Sequence, residues 1–391
     1  MRAFLIAGEV SGDKLGAALM SGLKQLVPDV AFSGVGGPLM TAEGLTSLFP
    51  MDELSLMGIA EIAPKYFHLK RRIAETADAV IAAQADVLIT IDSPDFCLRV
   101  AKLVREKGGP RIVHYVAPSV WAWRAGRAAK MAAHVDQVLA LLPFEPPYLE
   151  AVGLRCDFVG HPVVAEPVAT DAEVLEFRET HGLQDAPILL VLPGSRRGEV
   201  SRLAPIFGEV LARLAQTRPD IRPVLPAAGP VAAMVRAETQ DWAVAPLILD
   251  PTEISPDRAA RQKRAAFRAA DIALAASGTV SLELAASTTP MVIAYDMNWI
   301  SRQIIAQMLK IDTVTLVNLV SQTRAVPEFI GANCRADRIA PALLDLIDNP
   351  ATQIEAMETT MTLLGRGDDA PGLRAARAVL DGLGQGGHQG G

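Results

Sequence analysis

Ile188-Leu189-Leu190-Val191-Leu192-Pro193-Gly194-Ser195-Arg196-Arg197 reads as a buried strand running into a glycine loop. Five apolar residues in succession suit a strand covered on both faces, as in a parallel sheet. A helix-like pattern, Glu199–Gln216, follows, so strand, tight turn and helix form a βα unit. The same grammar recurs at Ile272 to Ala276, followed by Ser277-Gly278-Thr279-Val280-Ser281-Leu282-Glu283. Small residues in both turns let backbone N–H groups approach an anion, and helix N-termini add positive potential. Two such turns in one half of the chain point to a ligand with more than one phosphate. Arg196 adds a mobile positive charge, and Glu283, one turn into its helix, can accept from a ribose diol. Either loop alone reads as an ordinary capped turn; the pair with Arg196 and Glu283 does not.

The alternation extends in both directions. Phe4–Ala7, Val30–Phe32, Val87–Ile91, Arg111–Val116, Val138–Leu141 and Asp157–Val159 are strand-like in the first half. Arg222–Leu225, Pro246–Leu249 and Met291–Ala294 join the two runs above in the second. Helical patterns such as Lys14–Leu26, Ile73–Gln84 and Asp337–Ile347 lie between them. Strand–helix alternation of this kind predicts an α/β fold with parallel sheets covered on both faces. Pro162-Val163-Val164-Ala165-Glu166-Pro167 is a proline-bracketed linker. It sets an N-terminal domain over 1–165 and a C-terminal domain over 166–364, two Rossmann-like halves facing across a cleft. A last helix is expected over 365–383, and the Gly-rich tail 384–391 reads as disordered.

Composition narrows the function classes. Of 391 residues, 50% are hydrophobic and 21% charged, a globular balance. A net charge of -7 argues against a nucleic-acid partner held by broad phosphate neutralisation. Cys97, Cys156 and Cys334 are scattered and odd in number, which suits free thiols in a reducing compartment. The first strand begins directly after Met1, and no apolar run is long enough to span a bilayer, so a cytoplasmic location is expected.

The first half carries its own strand-end motifs. Gly8-Glu9-Val10-Ser11-Gly12-Asp13 lacks the glycine spacing of a dinucleotide fingerprint, which disfavours a nicotinamide enzyme. With Gly34-Val35-Gly36-Gly37-Pro38 it reads as the floor for a small polar ligand, or as tight turns capped by Ser11 or Asp13. Asp92-Ser93-Pro94-Asp95-Phe96 follows a strand and places Asp92 at its C-terminal end. A carboxylate there can take a proton from an acceptor hydroxyl if its pKa or geometry helps. Asp95 suits a helix N-terminus instead. Trp121 and Trp123 with Arg124 and Arg127 read as a ligand wall with an anion contact, or Trp121 as a core residue; a lone His114 is more often structural than catalytic, and Glu145 and His161 end two further strands near the same cleft.

Met57 to Arg72 is of another kind. Ile59, Ile62, Tyr66, Phe67 and Leu69 sit among Lys65, His68, Lys70, Arg71 and Arg72, the mixture of apolar anchors and basic charge that a membrane-surface element needs. A solvated helix with one buried face is the plainer alternative.

Taken in order, Ala7-Gly8-Glu9-Val10-Ser11-Gly12-Asp13, Gly36-Gly37-Pro38, Asp92-Ser93-Pro94-Asp95-Phe96, His114-Tyr115-Val116, Pro118-Ser119-Val120-Trp121-Ala122-Trp123, Leu142-Pro143-Phe144-Glu145, Gly160-His161-Pro162, Leu192-Pro193-Gly194-Ser195-Arg196, Ser277-Gly278-Thr279 with Glu283, and Asn318 resemble the lipid-A-disaccharide synthase family. The resemblance spans nearly the whole chain. It departs at Ala117, where Ser is expected, and at Gly331, where Gln is usual.

The resemblance implies a GT-B fold and an inverting glycosyl transfer without cofactor or metal; the absence of any Asp-x-Asp in the chain agrees with the metal-free part. It implies a UDP-2,3-diacylglucosamine donor, a 2,3-diacylglucosamine 1-phosphate (lipid X) acceptor and a β-1',6-linked disaccharide product with UDP. Asp92 is then the general base, with Asp95 the alternative. Gly194, Ser195, Arg196, Ser277, Gly278 and Thr279 hold the diphosphate, Glu283 the ribose, and Asn318 lines the donor site. Glu9, Ser11 and Gly12 line the acceptor side, with His114, Trp121, Glu145 and His161 near it. The Met57–Arg72 face would rest on the cytoplasmic surface of the inner membrane, and the last helix can pack on the first domain. A homodimer is left open. Competing readings are another GT-B-like UDP-sugar enzyme (a UDP-GlcNAc 2-epimerase or a cell-wall GlcNAc transferase) and a two-lobed ligand-binding protein.

Overall fold

The computed structural model describes residues 1–54, 59–119, 126–296 and 312–386, with the side chains of 59–66 and 385–386 outside that description. Its contacts divide the chain into two compact units, Met1–Ala165 with Gly367–Gly391, and Glu166–Arg366.

The first unit is built on a seven-stranded sheet. Its strands are β1 (Arg2–Ala7), β2 (Ala31–Val35), β3 (Thr46–Ser47), β4 (Val87–Ile91), β5 (Arg111–Tyr115), β6 (Gln137–Ala140) and β7 (Arg155–Phe158). They lie in the order β3-β2-β1-β4-β5-β6-β7, and all pair in parallel. β4 is buried along its whole length, as a strand covered on both faces must be. One face packs on the helices Ile59–Ala82 and Pro94–Glu106 through Val80, Val100 and Val104. The other packs on Val10–Leu26 and on Pro371–Gly386 through Leu15, Leu19, Ala375 and Val379.

That last helix belongs to the first unit although it follows the whole of the second. Its crossing with Val10–Leu26 is close because glycines meet there: a Cβ on Gly22 would lie 2.6 Å from the Gly372 carbonyl oxygen. The buried Gln137 amide donates to Ala378 O at 2.8 Å and to Asp157 at 2.7 Å, fastening β6 to the helix. The helix runs to Gly386, past the expected end at Leu383; residues 387–391 lie outside the described residues.

The second unit repeats the design. Its strands are β8 (Ile188–Leu192), β9 (Arg222–Pro226), β10 (Leu247–Leu249), β11 (Ile272–Ala275), β12 (Met291–Tyr295) and β13 (Glu328–Ile330). Their order is β10-β9-β8-β11-β12-β13, again all parallel. β3 and β13 are additions that the sequence did not announce. In both sheets the strand order reverses beside the first strand, between β1 and β4 and between β8 and β11. Ligands of open α/β sheets bind at such a reversal, outside the carboxyl ends of the strands.

Candidate functional site

The reversal in the second unit brings the two glycine loops together. Gly194, Ser195 and Arg196 leave β8, while Ser277, Gly278 and Thr279 leave β11; all six, with Glu283, line one cleft of about 600 Å³. Gly194 has φ +113, and a Cβ there would strike the Glu199 side chain at 2.6 Å. Gly278 has φ +148 with open space around it. The helix Arg197–Thr217 points its first turn at the cleft, and the Arg196 side chain is 69% exposed beside it. Pro226, Ala227, Ala228, Gly229, Leu249 and Pro251 supply an apolar wall from the ends of β9 and β10.

Two groups of this cleft escaped the sequence reading. Glu199 is a half-buried carboxylate in it: Oε2 accepts from the backbone N–H of Ser195 at 3.0 Å and of Arg196 at 3.2 Å. An acid at the third position of a helix is a recognised capping signal, so the sequence did hold a sign of it. Lys263 reaches Glu283 Oε2 at 2.5 Å, so the carboxylate assigned to ribose is half of an ion pair. Tyr295, at the end of β12, has its phenol pKa raised by burial first and then by the Glu199 charge.

Asn318 is not among the residues lining that cleft. Its side chain is fully buried and fully used: Nδ2 donates to Val326 O at 2.9 Å and to Thr313 Oγ1 at 3.2 Å, while Oδ1 accepts from Val326 N at 2.9 Å. An amide with all these partners holds the approach to β13 in shape. Gly331, one of the two departures from the family pattern, stands at φ +61 just beyond β13.

The first unit's reversal places Asp92 at the end of β4. Asp92 and Ser93 have φ +49 and +43, and Val116, at the end of neighbouring β5, has φ +83. Three consecutive-strand-end residues in left-handed backbone, one of them β-branched, store strain of the kind found at functional sites. Asp92, His114, Val116, Ala117, Ser119 and Arg127 line a pocket of about 220 Å³. Burial raises the Asp92 pKa above the ordinary carboxylate value, and the Ser93 backbone N–H offsets part of that rise. His114 is buried, and the loss of solvent pushes it down to about 4, so its ring is neutral. Asp95 is exposed in the first turn of Pro94–Glu106, where its charge suits the helix N-terminus, and it does not line the pocket.

The remaining residues expected on the acceptor side divide into surface and scaffold. Glu9 and Ser11 are exposed at the start of Val10–Leu26. Gly12 is buried, and a Cβ on it would lie 3.3 Å from the Ala7 Cβ, so it serves the packing of helix on strand. Asp13 accepts from the N–H groups of Gly37, Leu39 and Met40 at 2.9, 2.9 and 3.0 Å, clamping the second glycine loop. Glu145 is buried and accepts from Leu142 N at 3.0 Å. His161 accepts from Val163 N at 3.2 Å on Nδ1, which leaves its proton on Nε2; burial pushes it down to about 4. Neither lines the Asp92 pocket. Trp121, Trp123 and Arg124 lie outside the described residues.

Ile59–Ala82 forms one helix, with the side chains of Ile59, Ile62, Lys65 and Tyr66 outside the description. Phe67 is 81% exposed, and Lys70 and Arg71 are exposed with it. Leu69 packs against the core. Arg72 departs from the expected basic face: it is held by Glu53 and Glu75 at 2.8 Å each and stacks on Phe49 at 4.3 Å. Arg71 donates to His68 Nδ1 at 2.9 Å, and His68 Nε2 donates to Glu53 at 2.6 Å. Among the described residues no helix is long and apolar enough to cross a membrane.

Comparison with known proteins adds a family to this geometry. The family model for lipid-A-disaccharide synthetase matches residues 3–369. The lipid-A-disaccharide synthase of Ruegeria pomeroyi is 62% identical over 383 residues, covering 98% of this chain and 96% of its own. That of Rhodospirillum centenum is 46% identical over 384 residues, covering 97% and 94%. In fold, the chain is similar to the UDP-GlcNAc 2-epimerase of Neisseria meningitidis bound to UDP-GlcNAc, with a TM-score of 0.64 at 12% identity over 98% of this chain and 100% of that one. The two parallel-sheet α/β units are those of the GT-B fold. By sequence along nearly its full length, the chain belongs to the lipid-A-disaccharide synthetase family of glycosyltransferases.

Proposed function

We propose that the chain transfers a 2,3-diacylglucosaminyl group from UDP to the 6-hydroxyl of 2,3-diacylglucosamine 1-phosphate, giving a β-1',6-linked disaccharide 1-phosphate and UDP. The acceptor O6 forms the new bond to the anomeric carbon as the bond to the UDP oxygen breaks, and the electron pair leaves with UDP. The Asp92 carboxylate takes the O6 proton. Burial makes it a better base than an ordinary aspartate, while His114, neutral in the same pocket, adds no competing charge. The observation that carries this reading is Asp92 itself, a desolvated carboxylate on left-handed backbone where the strand order reverses.

Donor binding falls to the cleft of the second unit. Backbone N–H groups around Gly194 and Gly278, the helix start at Arg197 and the Arg196 guanidinium meet the negative charge that grows on the departing diphosphate, with no metal required. Glu283, paired with Lys263 in the same cleft, accepts from the ribose diol. Exposed Phe67, Lys70 and Arg71 suit a peripheral hold on the cytoplasmic face of the inner membrane, where acylated substrates reside.

The test is a product assay with both diacylated substrates in detergent, with and without a chelator, on the wild type and Asp92→Asn. Disaccharide formation that resists chelation and collapses in Asp92→Asn, with UDP binding kept, is the expected result. Vigorous turnover of UDP-N-acetylglucosamine alone, or near-normal transfer by Asp92→Asn, overturns the reading.

A further inference from the structure

The loop assigned to the donor diphosphate already holds an anion. Both backbone N–H groups that follow Gly194, those of Ser195 and Arg196, point at Glu199 Oε2 at 3.0 and 3.2 Å, and Arg196 Nη1 stands 3.4 Å from Oε1. The carboxylate is only 13% exposed, yet Glu199 lines the cleft beside Ser277, Gly278 and Thr279. Gly194 fits this arrangement: a Cβ at that position would come 2.5 Å from Oε2, so the glycine makes room for the carboxylate. The two N–H donors that follow Gly194 and the guanidinium beside them are therefore turned to the protein's own side chain.

Two anions do not share one pair of N–H donors. Each N–H has a single proton to give, and like charges within hydrogen-bonding reach repel strongly in a cleft of reduced dielectric. A diphosphate reaching this loop has to displace the carboxylate. Glu199 has somewhere to go, since Arg202 lies three residues further along the same helix, on the same face. Arg196 can follow the phosphate, since its guanidinium is largely in solvent and has no buried packing to lose.

We propose that Glu199 is a built-in competitor for the diphosphate loop, which lowers the affinity for the UDP group and re-enters the loop as UDP departs. This rests on the donor reading given above and adds a residue that governs nucleotide affinity. The chemical sense lies in turnover. A loop with free N–H groups and a guanidinium would bind product UDP about as well as donor, and tight ground-state binding of both would slow release without speeding transfer. An internal carboxylate that takes back the same hydrogen bonds weakens the hold on UDP once the sugar has left.

The experiment is calorimetric titration of UDP into the wild type, Glu199→Gln and Glu199→Ala, with product-inhibition kinetics on the same proteins. Gln keeps an oxygen acceptor for the cap but loses the charge, and neutral hydrogen bonds are roughly half as strong as charged ones. Relief of one screened charge repulsion should tighten UDP about tenfold in Glu199→Gln. UDP inhibition should deepen in parallel, and kcat should fall as release slows. Glu199→Ala should melt earlier than the wild type for want of its cap and still bind UDP more tightly. A purely structural cap predicts the opposite sign, since its removal would loosen the loop and weaken UDP. UDP affinity unchanged or weaker in Glu199→Gln therefore overturns the proposal and leaves the donor site standing. A wild type that binds no UDP overturns the donor reading and this proposal together.

Discussion

Thr90 Oγ1 and His114 Nδ1 lie 2.8 Å apart on adjacent parallel strands, in the register that pairs these two residues directly. The pairing pins the imidazole in the wall of the pocket that Asp92 shares, and burial keeps the ring neutral. The aspartate proposed as the proton acceptor thus has a neighbour that neither neutralises it nor competes for the proton.

Asp92→Asn should cost activity and add stability. Loss of a general base removes roughly 10²–10⁴ in turnover. The folded-state pKa of Asp92 is raised, so the fold favours the neutral carboxyl. Its contribution to stability is fully present below the unfolded carboxylate pKa and is lost as pH rises through the folded one. Asn, which tolerates left-handed backbone, keeps the neutral form at every pH. The variant should therefore melt above the wild type at pH 7.5, with the gap closing in acid; thermal melts across that range check it.

The buried histidines set an acid limit. His114 and His161 fall from 6.5 to about 4 on folding, so the unfolded chain binds protons that the folded one refuses. The stability they confer is complete above about 6.5 and drains away as pH falls toward about 4, on the order of 3 kcal/mol for each. Urea unfolding between pH 7.5 and 4.5 should show this decline, and its slope should be shallower in His114→Gln.

The glycines of the donor cleft should differ in their tolerance. Gly194→Ala places a Cβ in left-handed backbone and against Glu199, whereas Gly278→Ala meets strain alone. Backbone strain of this kind costs ~1–3 kcal/mol, so both variants should melt below the wild type, Gly194→Ala the further because its Cβ also meets Glu199. Thermal melts of the two variants separate them.

The exposed basic face should read out on vesicles. Lys70→Glu with Arg71→Glu removes two positive charges worth ~1 kcal/mol each at an anionic surface and adds two negative ones, so co-sedimentation with anionic vesicles should weaken at least about 30-fold. Phe67→Ser should weaken it further. Arg72→Ala, by contrast, should lower the melting temperature and leave vesicle binding intact, because Arg72 is committed to Glu53 and Glu75.

The glycine loops and Asp92 were legible because continuous apolar strands such as Ile188–Leu192 and Val87–Ile91 leave little doubt where a strand stops. β3 and β13 were not, being two and three residues long, too short to show a period. Asn318 was legible only in part: an amide suits a ligand or a loop equally, and its hydrogen bonds to Val326 appear only in space. Glu199 was hidden by its own suitability, since an acid in a first helical turn needs no second explanation. The Thr90–His114 pair depends on strand register between segments far apart in sequence.

The helix Pro371–Gly386 also sets an order of manufacture. Leu15, Leu19, Leu139 and Val159 form part of a core that is completed only by Ala375, Ala376 and Val379. A ribosome adding 5–20 residues per second needs roughly 10–40 s to pass from the end of the first stretch to that helix. Through that interval the nascent first unit carries an unsealed apolar face, while the intervening unit has all its strands in one continuous stretch and is free to fold ahead of it. The half that begins first is finished last.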